Sequence, residues 1–221
     1  MDDFDDIRDR LVLAALPHAA FDGWGCGAMA AAAADLGLDP TMPARTFPGG
    51  TSEVVARFIR LADRLMEEDL AGVDLAGLRV PQRILTAIRT RLERWEPHRE
   101  AVRRALAILA LPPNLPLAAR LTWGTADAIW RAAGDSSHDF SWYTRRSTLA
   151  AVYGATVLYW LDDSSEGAGD TLAFLERRLG DVARLGRVRR RFDSLLEQIP
   201  HPGRQERPNL RQRFSAVPPR G

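Results

Sequence analysis

Apolar residues recur at three-to-four-residue spacing along most of the chain, the pattern of helices that bury one face. Phe4, Ile7, Leu11, Leu13 and Leu16 mark an amphipathic helix over residues 4–20. After the Asp22-Gly23 turn, an alanine-rich helix runs from Gly25 to Leu36 and closes at Gly37. Pro40, Pro43 and Pro48 confine the TMPARTF segment to about one turn of helix. Thr51 or Ser52 then caps a long helix to Leu70, with Val54, Val55, Phe58, Leu61, Leu65 and Met66 on one face. AGVDLAGLRV reads as a connector, and Pro81 opens a helix through Trp95. Pro97 opens the next helix, which stops at LPPNLP, and another follows from Leu117 to Ala133. No stretch alternates with period two between hairpin turns, so the fold class is all-α, with nine to ten helices.

The segment Gly134–Gly167 stands apart. Asp135, Ser136, Ser137 and Asp139 suit a helix entrance, and Ser141 is placed to cap a helix from Trp142 to Leu161. From Leu149 to Leu161 nearly every position is apolar or small. Such a helix is expected at the centre of the fold, since the run is shorter than the roughly 18–20 apolar residues of a membrane span. Its first turn, WYTRR, cannot be buried whole, and Trp, Tyr and Arg are the types that anchor binding hot spots. A further helix is expected from Asp170 to Leu185 and a last one from Gly186 to Ile199.

Charge changes the picture only at the end. All 30 basic residues are Arg. Residues 1–183 carry 20 Arg against 26 acidic groups, whereas residues 184–221 carry 10 Arg against 3. In the last helix Leu185, Val188, Phe192, Leu195, Leu196 and Ile199 form one stripe, with Arg187, Arg189, Arg190 and Arg191 crowding the other faces. That pattern fits a helix lying on an anionic membrane surface, and equally a terminal helix docked on its own core. Beyond Pro200 the composition is that of a disordered basic tail. The five aspartates among the first ten residues leave no room for a signal peptide, which gives a cytoplasmic expectation.

Catalytic chemistry is not evident. The histidines, His18, His98, His138 and His201, are scattered without metal-ligand spacing, and no metal site or cofactor is expected. Cys26 reads as a small core residue, GWGCG as a tight turn rather than a phosphate loop, and Asp162, Asp163 and Glu166 as a solvated turn. The order helix, turn, short helix, long helix matches a TetR-type helix-turn-helix. A DNA reader needs polar side chains on its recognition helix, and here only Arg45 qualifies, so no nucleic-acid partner is expected.

RILTAIRTRLE, ILALPPNLP, AGDSSHDFSWYTRR, LAAVYGAT, DDSSEG and DTLAFLERRL, together with LVLAALPHAAFDGW near the start, closely resemble the COQ9 family of ubiquinone-biosynthesis proteins over about residues 8–185. The resemblance implies a TetR-like fold with a degenerate helix-turn-helix over residues 1–50. It implies a lipid-binding helical domain over residues 51–185 and a basic amphipathic helix and tail over residues 186–221. It implies no enzyme, but an accessory protein that takes an isoprenoid quinone precursor and presents it to a ubiquinone-pathway hydroxylase, peripheral on the inner membrane. A partner-facing patch would fall on Asp139, Trp142, Tyr143 and Arg146. Pocket walls are nominated at Ile88, Leu92, Leu106, Trp123, Ile129, Leu149, Tyr153 and Phe174, and a homodimer stays open. The alternative is a TetR-like regulator binding a hydrophobic ligand.

Overall fold

The computed structural model describes residues 2–134 and 141–197, with side-chain environments for 4–134 and 142–184. Every regular element among them is helical: α1 (Asp2–Asp22), α2 (Cys26–Asp35), α3 (Met42–Thr46), α4 (Thr51–Ala71), α5 (Val80–Trp95), α6 (Arg99–Leu109), α7 (Leu115–Ala132), α8 (Ser141–Asp162) and α9 (Gly169–Glu197). Short 3₁₀ turns precede α6, α7 and α9. The chain divides into two compact units, Met1–Val182 and Ala183–Gly221. No division falls at residue 50, because α1 packs on α4 and α6 as well as on α2.

Local chemistry explains several boundaries. At the end of α2, Leu38 N–H bonds Ala33 O at 2.8 Å and Gly37 N–H bonds Ala34 O at 3.0 Å, with Gly37 at φ 63°. This is a Schellman closure, and its left-handed residue favours glycine. In GWGCG only Gly23 needs positive φ, and a Cβ at Gly25 or Gly27 would meet nothing. The segment's weight lies in Trp24, which is buried and donates from Nε1 to Ala101 O at 2.8 Å. Its ring packs 4.9 Å from Phe58, which in turn meets Trp95 edge-on at 5.0 Å. Three aromatics thus join the N-terminal helices to α4 and α5. Cys26, expected in the core, is exposed, because it opens α2 two residues before the buried face at Ala28 and Met29 begins.

The helix at the centre is α4, not α8. Its buried face includes Val54, Val55, Phe58, Leu61 and Met66, and it packs against α1, α5, α6 and α7. Helix α8 buries Leu149, Val152, Val157, Trp160 and Leu161 against its neighbours, but its outer face keeps Ala151, Ala155, Leu158 and Tyr159 exposed. An unbroken apolar sequence shows that a helix lacks a charged side, not that it has neighbours on every side. The last two expected helices are one, since α9 runs past both Gly180 and Gly186.

In the DDSSEG turn Asp162 and Glu166 are exposed as expected, but Asp163 is buried, and the turn is built around its carboxylate. Asp163 Oδ1 accepts from Ser165 N at 2.8 Å, and Oδ2 accepts from Thr171 N at 2.9 Å and Thr171 Oγ1 at 2.5 Å. It thereby caps the first turn of α9. Arg99 and Arg103 of α6 donate to the carbonyls of Asp163 and Leu161 and lock the corner. Burial pushes the Asp163 carboxyl up, but the bonds from Ser165 and Thr171 outweigh it and hold the group well below the usual carboxylate range. A depressed carboxyl stabilises the fold above its unfolded value and loses that contribution as pH falls through and below the ordinary range. Asp163→Ala is therefore expected to cost about 2 kcal/mol at neutral pH. That corresponds to roughly 4–8 °C in melting temperature, with the difference from wild type closing in acid. Thermal denaturation across pH checks both.

Candidate functional site

Helices α4 to α8 enclose a cavity of about 290 Å³. Its walls are mostly apolar: Phe58, Ile59 and Ala62 from α4, Leu92 and Trp95 from α5, and Val102, Leu106 and Leu109 from α6. Leu115, Ala118 and Leu121 come from α7, and Tyr153, Val157, Leu158 and Trp160 from α8. At the LPPNLP break the chain bends by 91° between Val80–Leu109 and Pro112–Ala132. A dry 150 Å³ cavity takes up benzene, so this one holds on the order of a dozen non-hydrogen atoms. A second cavity of about 180 Å³ lies beside Arg89, Glu93, Glu96, Ala168 and Leu172, and it shares Leu92 and Trp160 with the first. The Trp160 indole stands between them, fixed by donation to Glu96 Oε2 at 2.8 Å and by the Arg99 guanidinium 5.0 Å from its ring.

One wall of the larger cavity is not apolar. Arg91 is 3% exposed and donates from Nε to Tyr153 Oη at 2.9 Å, and its Nη1 lies 3.1 Å from Asp63 Oδ1. Asp63 also accepts from Thr125 Oγ1 at 3.2 Å. Burial pushes the Asp63 carboxyl up, with Arg91 opposing it. Burial pulls the Arg91 guanidinium down, but Tyr153 and Asp63 more than offset this and keep it charged. The Arg91–Asp63 contact is close but poorly aligned, so Arg91 Nη1 and Asp63 Oδ1 are both without a hydrogen bond, as is Trp95 Nε1.

Of the nominated pocket walls, Leu92, Leu106 and Tyr153 border the cavity. Ile88, Ile129 and Leu149 are ordinary core, and Phe174 stacks on Tyr159 at 4.9 Å. Trp123 sits elsewhere altogether, 5.7 Å from Trp142 and 6.2 Å from Tyr143. Helical periodicity finds inward-facing residues but not the subset that borders empty space, and so α4 was missed. The buried Arg91 carries no sequence signal beyond an Arg on an otherwise inward face.

At the start of α8, Trp123, Trp142 and Tyr143 form an aromatic cluster on the surface. Tyr143 is 62% exposed, while Trp142 is half-buried. Arg146 is 2% exposed, with Nε 2.6 Å from Asp127 Oδ1 and its guanidinium 4.1 Å from the Trp142 ring. The expectation that Arg146 faces outward is corrected: it underpins the cluster, because Asp127 one helix away can neutralise it. Asp139 and Ile199 lie outside the described residues, as do His138 and the tail beyond Pro200. Arg187, Val188, Arg190, Arg191, Phe192, Leu195 and Leu196 fall on the α9 backbone, and their side chains lie outside the described set. Among the described residues no three His, Cys, Asp or Glu side chains gather as a metal-binding group, and no single helix is long and apolar enough to cross a membrane.

The fold is similar to that of a TetR transcriptional regulator from Nitrosomonas europaea ATCC 19718, with a TM-score of 0.65 over 80% of this chain and 98% of that one. At 22% identity this likeness shows the fold alone. A family model described as COQ9 matches residues 115–186. Human mitochondrial ubiquinone biosynthesis protein COQ9 is 35% identical over 202 residues, 88% of this chain and 63% of the relative. The Xenopus laevis protein COQ9-B is 31% identical, over 88% of this chain and 69% of the relative, and the Drosophila melanogaster protein is 32% identical over 82% and 56%. The chain thus spans just under two thirds of its human relative's length. Identity at this level, extending beyond both sides of the matched segment and carried on a TetR-like helical fold, means that the chain belongs to the COQ9 family.

Proposed function

We propose that this chain is a non-catalytic accessory protein of ubiquinone biosynthesis, which holds an isoprenoid quinone precursor between α4 and α8 and hands it to a membrane-associated hydroxylase. The observation that carries the reading is the 290 Å³ apolar cavity. A polyprenyl chain leaves a bilayer only for another apolar environment, at about 0.8 kcal/mol for each CH₂ that would otherwise meet water. The human relative is a ubiquinone biosynthesis protein, which supports the pathway. Organic extraction of the purified chain followed by mass spectrometry tests it: an isoprenoid lipid in stoichiometric amount is expected, and an extract free of lipid, together with failure to take up added isoprenoid, would sink it.

The hydroxylase would dock on the aromatic cluster at the start of α8, and the basic stretch of α9 would meet an anionic leaflet. Tyr143 is the better probe of that docking, because it is the more exposed of the two, whereas Trp142 is half-buried and covers the Arg146 guanidinium. Tyr143→Ala is expected to change stability by less than about 0.5 kcal/mol and to weaken hydroxylase binding by about 2 kcal/mol. Calorimetric titration against the hydroxylase reads the second figure, and unchanged affinity would move the docking surface elsewhere. The regulator reading is weaker, since α3 is five residues long and offers Arg45 as its one basic group.

A further inference from the structure

We propose that the corner between α6 and α7 inserts into a lipid bilayer, with Leu111 and Leu115 entering the acyl layer and an arginine on each arm held at the headgroups. The inference concerns the outer surface and stands whatever the cavity holds.

From Ala105 to Ala119 the chain carries no charged residue, and the run is bounded by Arg104 and Arg120. It folds at the 91° bend, and its apex faces outward. Leu111 and Leu115 are each 53% exposed, and Ala110, Pro112, Pro113 and Pro116 are exposed around them. An exposed apolar patch without charge marks a contact surface. This one falls well short of the roughly 800 Å² per partner that a stable protein interface needs.

The backbone suits hydrocarbon. An ordinary loop cannot enter it, because each N–H that leaves water needs another acceptor. Here Pro112, Pro113 and Pro116 have no N–H at all. Ala110 and Leu111 donate to Leu106 O and Ile108 O at 2.9 and 3.3 Å, and Asn114 donates to Leu111 O at 2.8 Å. Leu115 donates to Pro112 O. The Asn114 side chain turns back as well, with Nδ2 donating to Ile108 O at 2.8 Å. Every backbone N–H from Ala110 to Pro116 therefore has its acceptor inside the corner.

The charges stand at matching depth. Arg104 lies five residues before the end of α6 and Arg120 five residues after the start of α7. That is about 7–8 Å of helix on each arm, within the roughly 5–10 Å to which interfacial segments sink. Arg120 is exposed and forms no ion pair among the described residues, and Arg104 shares Glu100 with Arg103. Long side chains so placed lay their methylenes along apolar surface and keep the guanidinium among phosphates.

A nitrobenzoxadiazole label on Leu111→Cys, in a Cys26→Ser background of the full chain, tests the insertion on mixed phosphatidylcholine and phosphatidylglycerol vesicles. The control is the same label on native Cys26, close to Trp24, which bonds Ala101 at the opposite end of α6. The chain should sediment with the vesicles. The label at 111 should brighten severalfold and be quenched by nitroxide lipid, while the label at Cys26 stays unchanged. Leu111→Gln combined with Leu115→Gln should lower partitioning about tenfold at an unchanged melting temperature, since both side chains are already half exposed. Failure to sediment, sedimentation with a dark label at 111, or a double variant that binds like wild type each overturns the insertion. Brightening that grows with protein concentration in the absence of vesicles overturns it too, since a second copy then covers the corner. None of these results alters what organic extraction finds, so the insertion and the lipid-holding role fail separately.

Discussion

Arg91→Met should lower the unfolding free energy by about 3–5 kcal/mol, because it leaves the Asp63 carboxylate buried without its counter-charge. Asp63 would retain only Thr125 Oγ1, at 3.2 Å, as a hydrogen-bond donor. Its carboxyl is already pushed up by burial, with Arg91 the largest opposing influence, so loss of the guanidinium moves it further up. A carboxyl raised in the folded chain contributes stability that is fully present below its unfolded value and is lost as pH rises through its folded value. The deficit of Arg91→Met is therefore largest at neutral pH and shrinks towards acid, the opposite of Asp163→Ala only in its cause, since there the wild type is what weakens. Adding Asp63→Asn should recover much of the loss by removing the stranded charge. Urea denaturation of the two single variants and the double variant measures the coupling. Additive effects would show that the ion pair is not what Arg91 contributes.

Trp160→Ala is expected to cost a comparable 3–5 kcal/mol or so, from lost burial and the space left behind. Trp160 is fully buried, bonded to Glu96, and common to both cavities. Its removal should merge the 290 and 180 Å³ spaces into one. The variant should then gain more than wild type from added isoprenoid hydrocarbon, since a ligand that binds only the folded state raises its melting temperature more the more tightly it binds. Thermal unfolding with and without the hydrocarbon reads this. Equal ligand shifts in the two proteins would mean that the neighbouring helices collapse onto the void.

The two substitutions probe the features that a linear reading treats least well. Leu92, Leu106 and Tyr153 were found as cavity walls because they sit on inward faces. Ile88, Ile129 and Leu149 sit on inward faces as well and simply meet other side chains. Trp123 follows Leu121 by only two residues, which carries it about 200° round the helix, away from the cavity and onto the flank that meets α8. Asp163 looked like a surface residue because it stands in a run of polar residues. Its burial follows from Thr171, eight positions later, and from Arg99 on another helix.

The residues in order were enough to establish the helical class, the stop at Gly37, the broken third helix and the family resemblance. Each depends on neighbours within about one or two turns, where backbone sterics and side-chain capping act. Tertiary structure decided that α4 rather than α8 lies at the centre, that Arg146 is buried beneath the aromatic cluster, and that a void opens beside Arg91. Whether an inward residue meets another side chain or empty space depends on where separate helices cross, and that information is shared among segments far apart in the chain.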